Sequence, residues 1–199
     1  MYYVSFIDDF SRTTWIYFLR KKYEVFDKFK EFKALVENQT EKKIKVLRTN
    51  NGGEFFGNEF EEFCKKCGIE RQKTNPYTPQ YNGFVERMNK TLMEKAKRVL
   101  SGVELGQEFW AEAMGTTCYM VNRSPSSALD DKTPHEVWTV KKASLEHLRV
   151  FGRDAYVNVP KENRSKMDKK AKKCIFIGYK DGVKGYNLWN PETKKIVYS

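Results

Sequence analysis

The chain has 199 residues, a formal net charge of +11 and a hydrophobic fraction of 40%, which is enough to build a core and excludes a wholly disordered chain. No apolar run is long enough to cross a bilayer, and the first residues lack the features of a signal peptide, so we expect an intracellular protein. The surplus of positive charge favours a polyanionic partner.

Strand and helix signals alternate in the first part of the chain. In chain order they predict a β-hairpin over 2–19, a helix over 23–37, a strand over 44–47, a helix over 59–66 and a strand over 69–73. The hairpin is predicted because turn-forming residues, Asp8 to Arg12, separate two runs of β-branched and aromatic residues. Gly68 is expected to end the second helix. This alternation predicts an α/β domain.

A loop with two prolines follows over 75–83, and helices are predicted over about 84–100 and 108–122. After about residue 140 the pattern becomes one of short strands, predicted over 149–152, 155–159, 174–179, 186–189 and 195–198. We therefore predict two domains, residues 1–140 and a small all-β module over 141–199. A basic stretch over 161–173 is interpreted as a solvated loop, with a nucleic-acid patch or a nuclear localisation signal as alternatives.

The four cysteines do not form a zinc-binding pattern. Cys64 and Cys67 lie inside a helical pattern, and a zinc site needs a second ligand pair at a defined spacing. His135 and His147, the only histidines, do not provide that pair. We expect ordinary thiols that are buried or half-buried.

Two segments carry the residue types of a phosphoryl-transfer site. The first reads LRTNNGGEF over 47–55, and the second reads PYTPQYNGFVERMNK over 76–90. Together they resemble the core of retroviral and retrotransposon integrases, in which an Asp-Asn-Gly turn is followed after 35 residues by a Glu that opens a helix; Asn50 and Glu86 are separated by 35 residues here. The hairpin FIDDFSR and the segments over 147–152 and 173–179 are similar to the Copia branch, and the resemblance covers essentially the whole chain.

The resemblance implies a ribonuclease-H-like mixed sheet flanked by helices, followed by a small SH3-like all-β module. It also implies DNA integration by metal-dependent phosphoryl transfer. In that chemistry three carboxylates hold two Mg²⁺ or Mn²⁺ ions ~4 Å apart. Glu86 matches the family's catalytic and metal-binding Glu, and Asn50 occupies the position of its second catalytic Asp.

Two departures from the family predict a catalytically defective copy. Asn50 is an amide, which brings no negative charge to the metals. The family's first acid lies on a strand before the hairpin, and no residue here matches it, so we expect an N-terminally truncated domain. That strand is central in the family's sheet; without it, exposed edges should make the fragment marginally stable or prone to aggregation. Asp8 and Asp9 are interpreted as turn and capping residues and not as substitute acids.

The resemblance also implies DNA contacts. Lys90 and Lys97 fall on one helical stripe with Glu86, at i, i+4 and i+11, although a solvated helix face is the alternative for both lysines. Gln80, Tyr81 and Asn82 lie on the loop before Glu86, which in the family reaches over the DNA end, while Asn82-Gly83 is also ordinary turn chemistry.

Three functional hypotheses follow. The chain is an integrase core-like domain, a non-catalytic basic DNA-binding remnant, or a protein-interaction module built around the SH3-like tail. DNA is the expected partner, with a homo-oligomer and a nuclear location left open. Neither a membrane nor a small-molecule substrate is expected.

Overall fold

The structure is a computed structural model that describes residues 1–49, 57–73, 83–167, 169–179 and 185–199. Two compact units divide the chain: residues 1–7 with 14–90, and residues 8–13 with 91–199. No helix in the described ranges is long and apolar enough to cross a membrane.

Two strand pairs and three helices lie in the described residues of the first unit. Strands β1 (Tyr2–Ile7) and β2 (Thr14–Leu19) pair antiparallel, and β3 (Val46–Thr49) and β4 (Glu70–Lys73) pair parallel. The helices are α1 (Val25–Thr40), entered through a 3-10 turn over Lys22–Glu24, α2 (Asn58–Lys66) between β3 and β4, and the start of α3 (Gly83–Ser101).

Phenylalanines build the core of this unit. Helix α1 buries Val25, Phe29, Phe32 and Val36, a spacing that places them on one face. Phe6 of β1 stacks on Phe32 with ring centroids 4.5 Å apart, and Phe29 stacks on Phe60 of α2 at 5.1 Å. The hairpin and α2 therefore bury their apolar sides against the same helix.

The second unit contains the rest of α3, two further helices and one sheet. The helices are α4 (Trp110–Val121), preceded by a 3-10 turn over Gln107–Phe109, and α5 (Pro134–Thr139). The antiparallel sheet has the order β5 (Asp154–Asn158), β6 (Ala171–Tyr179), β7 (Tyr186–Asn190) and β8 (Lys195–Tyr198). Cys174, Phe176 and Leu188 form its core. On α4, the hydroxyl of Thr116 donates to the carbonyl of Ile177 in β6 at 3.3 Å.

Most predicted elements are present with ends shifted by a few residues, and the expected class, α/β followed by a small all-β module, is confirmed. The largest shift among the strands is at β6, predicted over 174–179 and found at Ala171–Tyr179. Gly68 follows α2 with a φ of 68°, which confirms it as the residue that ends the helix.

One predicted strand is wrong, and one helix was missed. Residues 149–152 form no strand, and Phe151 and Gly152 form a turn because Gly152 has a φ of 78°, which is incompatible with an extended strand. The missed helix is α5, whose sequence signal is a capping box: Thr133 and Glu136 each accept a hydrogen bond from the other's backbone N–H, and Pro134 lies at the first turn.

The compact units divide inside α3, after Lys90. Helix α4 belongs with the four-stranded sheet in the second unit. The predicted domains, 1–140 and 141–199, follow the modules of the family, whereas the compact units follow contacts within the structure. The predicted boundary at residue 140 therefore stays a prediction.

All four cysteines are free thiols. Cys64, Cys118 and Cys174 are buried and Cys67 is half-buried, as expected from the sequence. Burial raises the pKa of the Cys64 and Cys174 thiols above the ordinary value.

Candidate functional site

The candidate site is the outward face of α3. Glu86 lies exposed in the first turn of the helix, where its carboxylate opposes the positive end of the helix dipole. Lys90 and Lys97 are exposed on the same helical stripe. Leu92 and Ala96 are buried on another side of the helix, so one stripe faces solvent and another faces the core.

The helix is held beside the hairpin near Glu86. The hydroxyl of Ser5 in β1 donates to Oδ1 of Asn89 at 2.8 Å, which fixes the turn of α3 that carries Lys90. Sequence reasoning did not assign Arg87, an exposed cation directly after Glu86. Its guanidinium folds back along the helix, since a Cβ atom at Gly83 would lie 3.1 Å from Nη1 of Arg87.

Of the predicted site residues, Glu86, Lys90 and Lys97 lie on α3. The other predicted site residues, Asn50, Gln80, Tyr81 and Asn82, lie outside the described ranges. Their proposed roles therefore depend on the sequence.

Asp8 and Asp9 have the contacts of turn residues. Oδ2 of Asp8 accepts hydrogen bonds from the backbone N–H of Ser11 at 2.7 Å and from its hydroxyl at 2.8 Å. Asp9 forms an exposed ion pair with Arg12. Ser11 is only 1% exposed, so the Asp8 carboxylate satisfies polar groups that water barely reaches. These contacts agree with the capping interpretation.

The residues that the structure describes do not assemble a two-metal site. Within the described ranges no group of three or more His, Cys, Asp or Glu side chains is placed to hold a metal ion. Of the acids that the resemblance implies, this chain carries Glu86, and it has the amide Asn50 at a second position. One carboxylate and one neutral amide supply much less charge than two divalent cations require.

Every lysine of the basic stretch over 161–173 is exposed, and the last three residues of the stretch belong to β6. Lys173 forms an ion pair with Asp154 at 2.8 Å, which raises the pKa of that lysine. The remainder includes a single 3-10 turn at Lys161–Asn163, in keeping with a solvated connection between strands.

Sequence reasoning missed a polar aromatic cluster in the second unit. The ring of Tyr119 stacks on Tyr179 with centroids 4.0 Å apart, and its hydroxyl lies 2.6 Å from Nε2 of His147. The guanidinium of Arg123 lies 3.5 Å from the centroid of Tyr119. Burial raises the pKa of Tyr119 and Tyr179, so both phenol hydroxyls stay protonated at neutral pH. Burial lowers the pKa of Arg123. The cluster joins α4 to the sheet.

Two family models match this chain. Residues 153–199 match the retroviral polymerase SH3-like domain, which covers β5 to β8. Residues 2–102, just over half of the chain, match the TnsB C-terminal domain.

Curated relatives match along nearly the whole chain. The retrovirus-related Pol polyprotein from transposon TNT 1-94 of Nicotiana tabacum is 51% identical over 198 residues, which cover 100% of this chain and 15% of the relative. The Pol polyproteins from transposons RE2 and RE1 of Arabidopsis thaliana are 35% and 32% identical and cover 89% and 100% of this chain. Since only 12% and 13% of those two relatives are covered, the chain spans a small part of each.

Solved integrase structures share the fold. A chain of the cryo-EM structure of the simian T-cell lymphotropic virus intasome with PP2A regulatory subunit B56 gamma has a TM-score of 0.57 at 16% identity, covering 91% of this chain and 67% of that one. The HTLV-2 integrase catalytic core domain in complex with magnesium has a TM-score of 0.51 at 22% identity, covering 66% and 80%. The BIV integrase catalytic core domain has a TM-score of 0.52 at 20% identity, covering 68% and 84%.

Identity to Pol polyproteins along the whole chain agrees with the fold and with the C-terminal sheet. Over residues 2–102 the chain therefore belongs to the TnsB C-terminal domain family, and as a whole it is an integrase core-like domain of a Copia-type retrotransposon Pol polyprotein followed by an SH3-like domain.

Proposed function

We propose that this chain is a DNA-binding integrase core-like domain in which phosphoryl transfer is impaired. The observation that carries DNA binding is the exposed face of α3, which presents Lys90 and Lys97 on one stripe beside Arg87. The net charge of +11 adds a long-range attraction for a polyanion. Duplex DNA is the class of ligand that fits a row of cations along a rigid helix.

Impaired catalysis is proposed because of the charge at position 50. Two divalent cations held close together repel each other strongly, and carboxylates at the site offset that repulsion. Replacing one carboxylate by the Asn50 amide removes a full negative charge. Metal binding and transition-state stabilisation should both weaken, because they depend on the same charge.

DNA binding is tested by fluorescence anisotropy with a labelled duplex at several salt concentrations. We expect Lys90→Glu to weaken binding severalfold and to reduce the salt slope by about one phosphate contact. The matched control is Lys95→Glu, which makes the same charge change on the same helix away from the stripe. Equal effects of the two variants would assign binding to net charge alone and would contradict an α3 interface.

A salt-insensitive association with a protein would instead favour the interaction-module hypothesis. Protein–protein contacts need not release the counterions that make DNA binding steeply dependent on salt. Duplex binding that weakens steeply with salt in the anisotropy series supports the DNA-binding function, and its absence would leave the interaction module as the alternative.

Impaired catalysis is tested with Mn²⁺ in two measurements. Calorimetric titration should show weak Mn²⁺ binding by the chain, tighter binding by Asn50→Asp and weaker binding by Glu86→Gln. A nicking assay on labelled DNA should show no activity in the unaltered chain. Metal-dependent nicking that Glu86→Gln abolishes would overturn the proposal, because Glu86 would then act in a working site.

A further inference from the structure

A second cationic surface lies where the hairpin meets α1. It consists of Tyr2 at the start of β1 and four consecutive residues after β2, Arg20, Lys21, Lys22 and Tyr23; we call it the tyrosine–lysine patch. The register pairs Tyr2 with Leu19, so the two segments are neighbours. Tyr2 is 49% exposed and Tyr23 is 70% exposed, and the three cations between them in sequence are also exposed.

Each tyrosine ring has a lysine beside it. Nζ of Lys22 lies 5.7 Å from the ring centroid of Tyr2, and Nζ of Lys21 lies 5.5 Å from that of Tyr23. Such exposed contacts are weak, so the ammonium groups and ring faces remain accessible to a ligand.

The positive charge of the patch is not neutralised within the described part of the chain. Lysines of α1 are paired there, as Lys30 is with Asp27 and Lys33 is with Glu37. Arg20, Lys21 and Lys22 form no ion pair with a described residue. The nearby carboxylate of Glu24 accepts a hydrogen bond from the backbone N–H of Arg20 at 3.0 Å, which leaves the patch with a surplus of cations.

We propose that the tyrosine–lysine patch binds unpaired nucleotides of a DNA strand. In proteins that bind a single strand, cationic side chains contact the phosphates and exposed aromatic rings stack on the bases. The five residues of this patch include three cations and two aromatic rings. Base pairs within a duplex hide the base faces that the tyrosines would contact. The patch lies on the hairpin and the segment after it and not on α3, and the inference does not depend on the proposed function.

The experiment compares a labelled poly-dT strand with a labelled duplex of equal length, using the whole chain. Tyr2→Leu with Tyr23→Leu removes the rings and keeps apolar bulk. It should weaken binding to the single strand about fivefold or more and leave duplex binding unchanged. Lys21→Ala with Lys22→Ala should lower the single-strand salt slope by about 1.4, or about 0.7 for each phosphate contact.

The matched control is Lys42→Ala with Lys43→Ala, an exposed lysine pair in the same unit that has no aromatic ring beside it among the described residues. It removes the same charge, so an equal loss of single-strand affinity in the control would overturn the proposal. Unchanged single-strand affinity in the double tyrosine variant would overturn it as well. Recovery of binding by Lys21→Arg with Lys22→Arg shows that charge, and not folding, is lost in the alanine variant.

Two further results distinguish this proposal from the α3 interface and from lipid binding. If Lys90→Glu leaves duplex binding unchanged while the double tyrosine variant loses single-strand binding, the α3 proposal fails and the patch stands. Vesicles of phosphatidylserine and phosphatidylcholine serve as the competing ligand. If the patch variants lose binding to these vesicles but bind single-stranded DNA as tightly as the unaltered chain does, the patch binds lipid and the inference is overturned.

Discussion

Val140 ends α5 in a conformation that suits glycine. Its φ is 58° and its ψ is 19°, and its side chain is 90% exposed, so a β-branched residue adopts the left-handed conformation without compensating packing. We expect Val140→Gly to stabilise the protein by about 0.5–1 kcal/mol and to raise Tm by about 2–4 °C. The measurement is thermal unfolding, with Val140→Ala as the control because alanine keeps the Cβ atom that causes the strain. Equal stabilisation by both variants would contradict the explanation.

Asp8 is an acid whose contacts indicate a structural role. Removing its carboxylate takes the acceptor from the buried N–H of Ser11 and leaves the Ser11 hydroxyl with Oγ1 of Thr13 alone, so Asp8→Ala should destabilise the protein by about 1–3 kcal/mol. Asp9→Ala removes only an exposed ion pair and should change stability by less than about 1 kcal/mol. Urea unfolding measures both variants. A larger effect of Asp9 would show that the two acids are assigned to the wrong roles.

At the scale of elements, Glu37 links the end of α1 to the segment before β3. Its carboxylate accepts from Nζ of Lys33 at 2.7 Å and from the N–H of Ile44 at 2.9 Å. Burial raises the pKa of Glu37, but the hydrogen bonds from Lys33 and Ile44 and the positive charges of Lys33 and Lys43 outweigh it and hold the pKa below its ordinary value.

This lowered pKa predicts how stability depends on pH. A carboxyl group whose pKa is lower in the folded state stabilises fully above its unfolded pKa and loses that contribution as pH falls through the folded pKa. We expect Glu37→Gln to destabilise by about 1 kcal/mol at pH 7 and to differ less from the unaltered chain at acidic pH. Urea unfolding from pH 7 down to pH 3 measures this difference. A constant difference across that range would rule out the ionised carboxylate as its source.

The elements that sequence patterns predicted well are those whose own residues fix them. The apolar spacing of α1 and the long amphipathic run of α3 need no information from elsewhere in the chain. The turn at Gly152 looked like a strand because a glycine in sequence does not show the sign of its φ. Helix α5 has only six residues, too few for periodicity, and its capping box was the available signal.

The candidate site was predictable in part for the same reason. Glu86, Lys90 and Lys97 lie on one helix, so helical spacing alone places them together. The Tyr119–Tyr179 stack and the lysine–ring contacts of the tyrosine–lysine patch depend on tertiary packing or side-chain direction. Patterns along the sequence contain no information about tertiary packing or about side-chain direction.

At the scale of the whole molecule, two separate cores predict two separable responses to mutation. Phe29 is 0% exposed in the first unit, and Phe176 is 3% exposed in the second. Each Phe→Ala substitution should cost about 3–5 kcal/mol by leaving a cavity. Hydrogen exchange should show faster exchange in β1 and α1 for Phe29→Ala, and in β6 and β7 for Phe176→Ala. Loss of protection in both units from either substitution would contradict two separate cores.

The buried cysteines give each compact unit a built-in reporter. Cys64 lies in the first unit, and Cys118 and Cys174 lie in the second, all at 6% exposure or less. A thiol reagent can reach such a sulfur atom only when the surrounding structure opens, and the raised pKa of Cys64 and Cys174 slows reaction further. Peptide mapping after timed alkylation therefore follows the opening of each unit in the unmodified sequence, without an added probe.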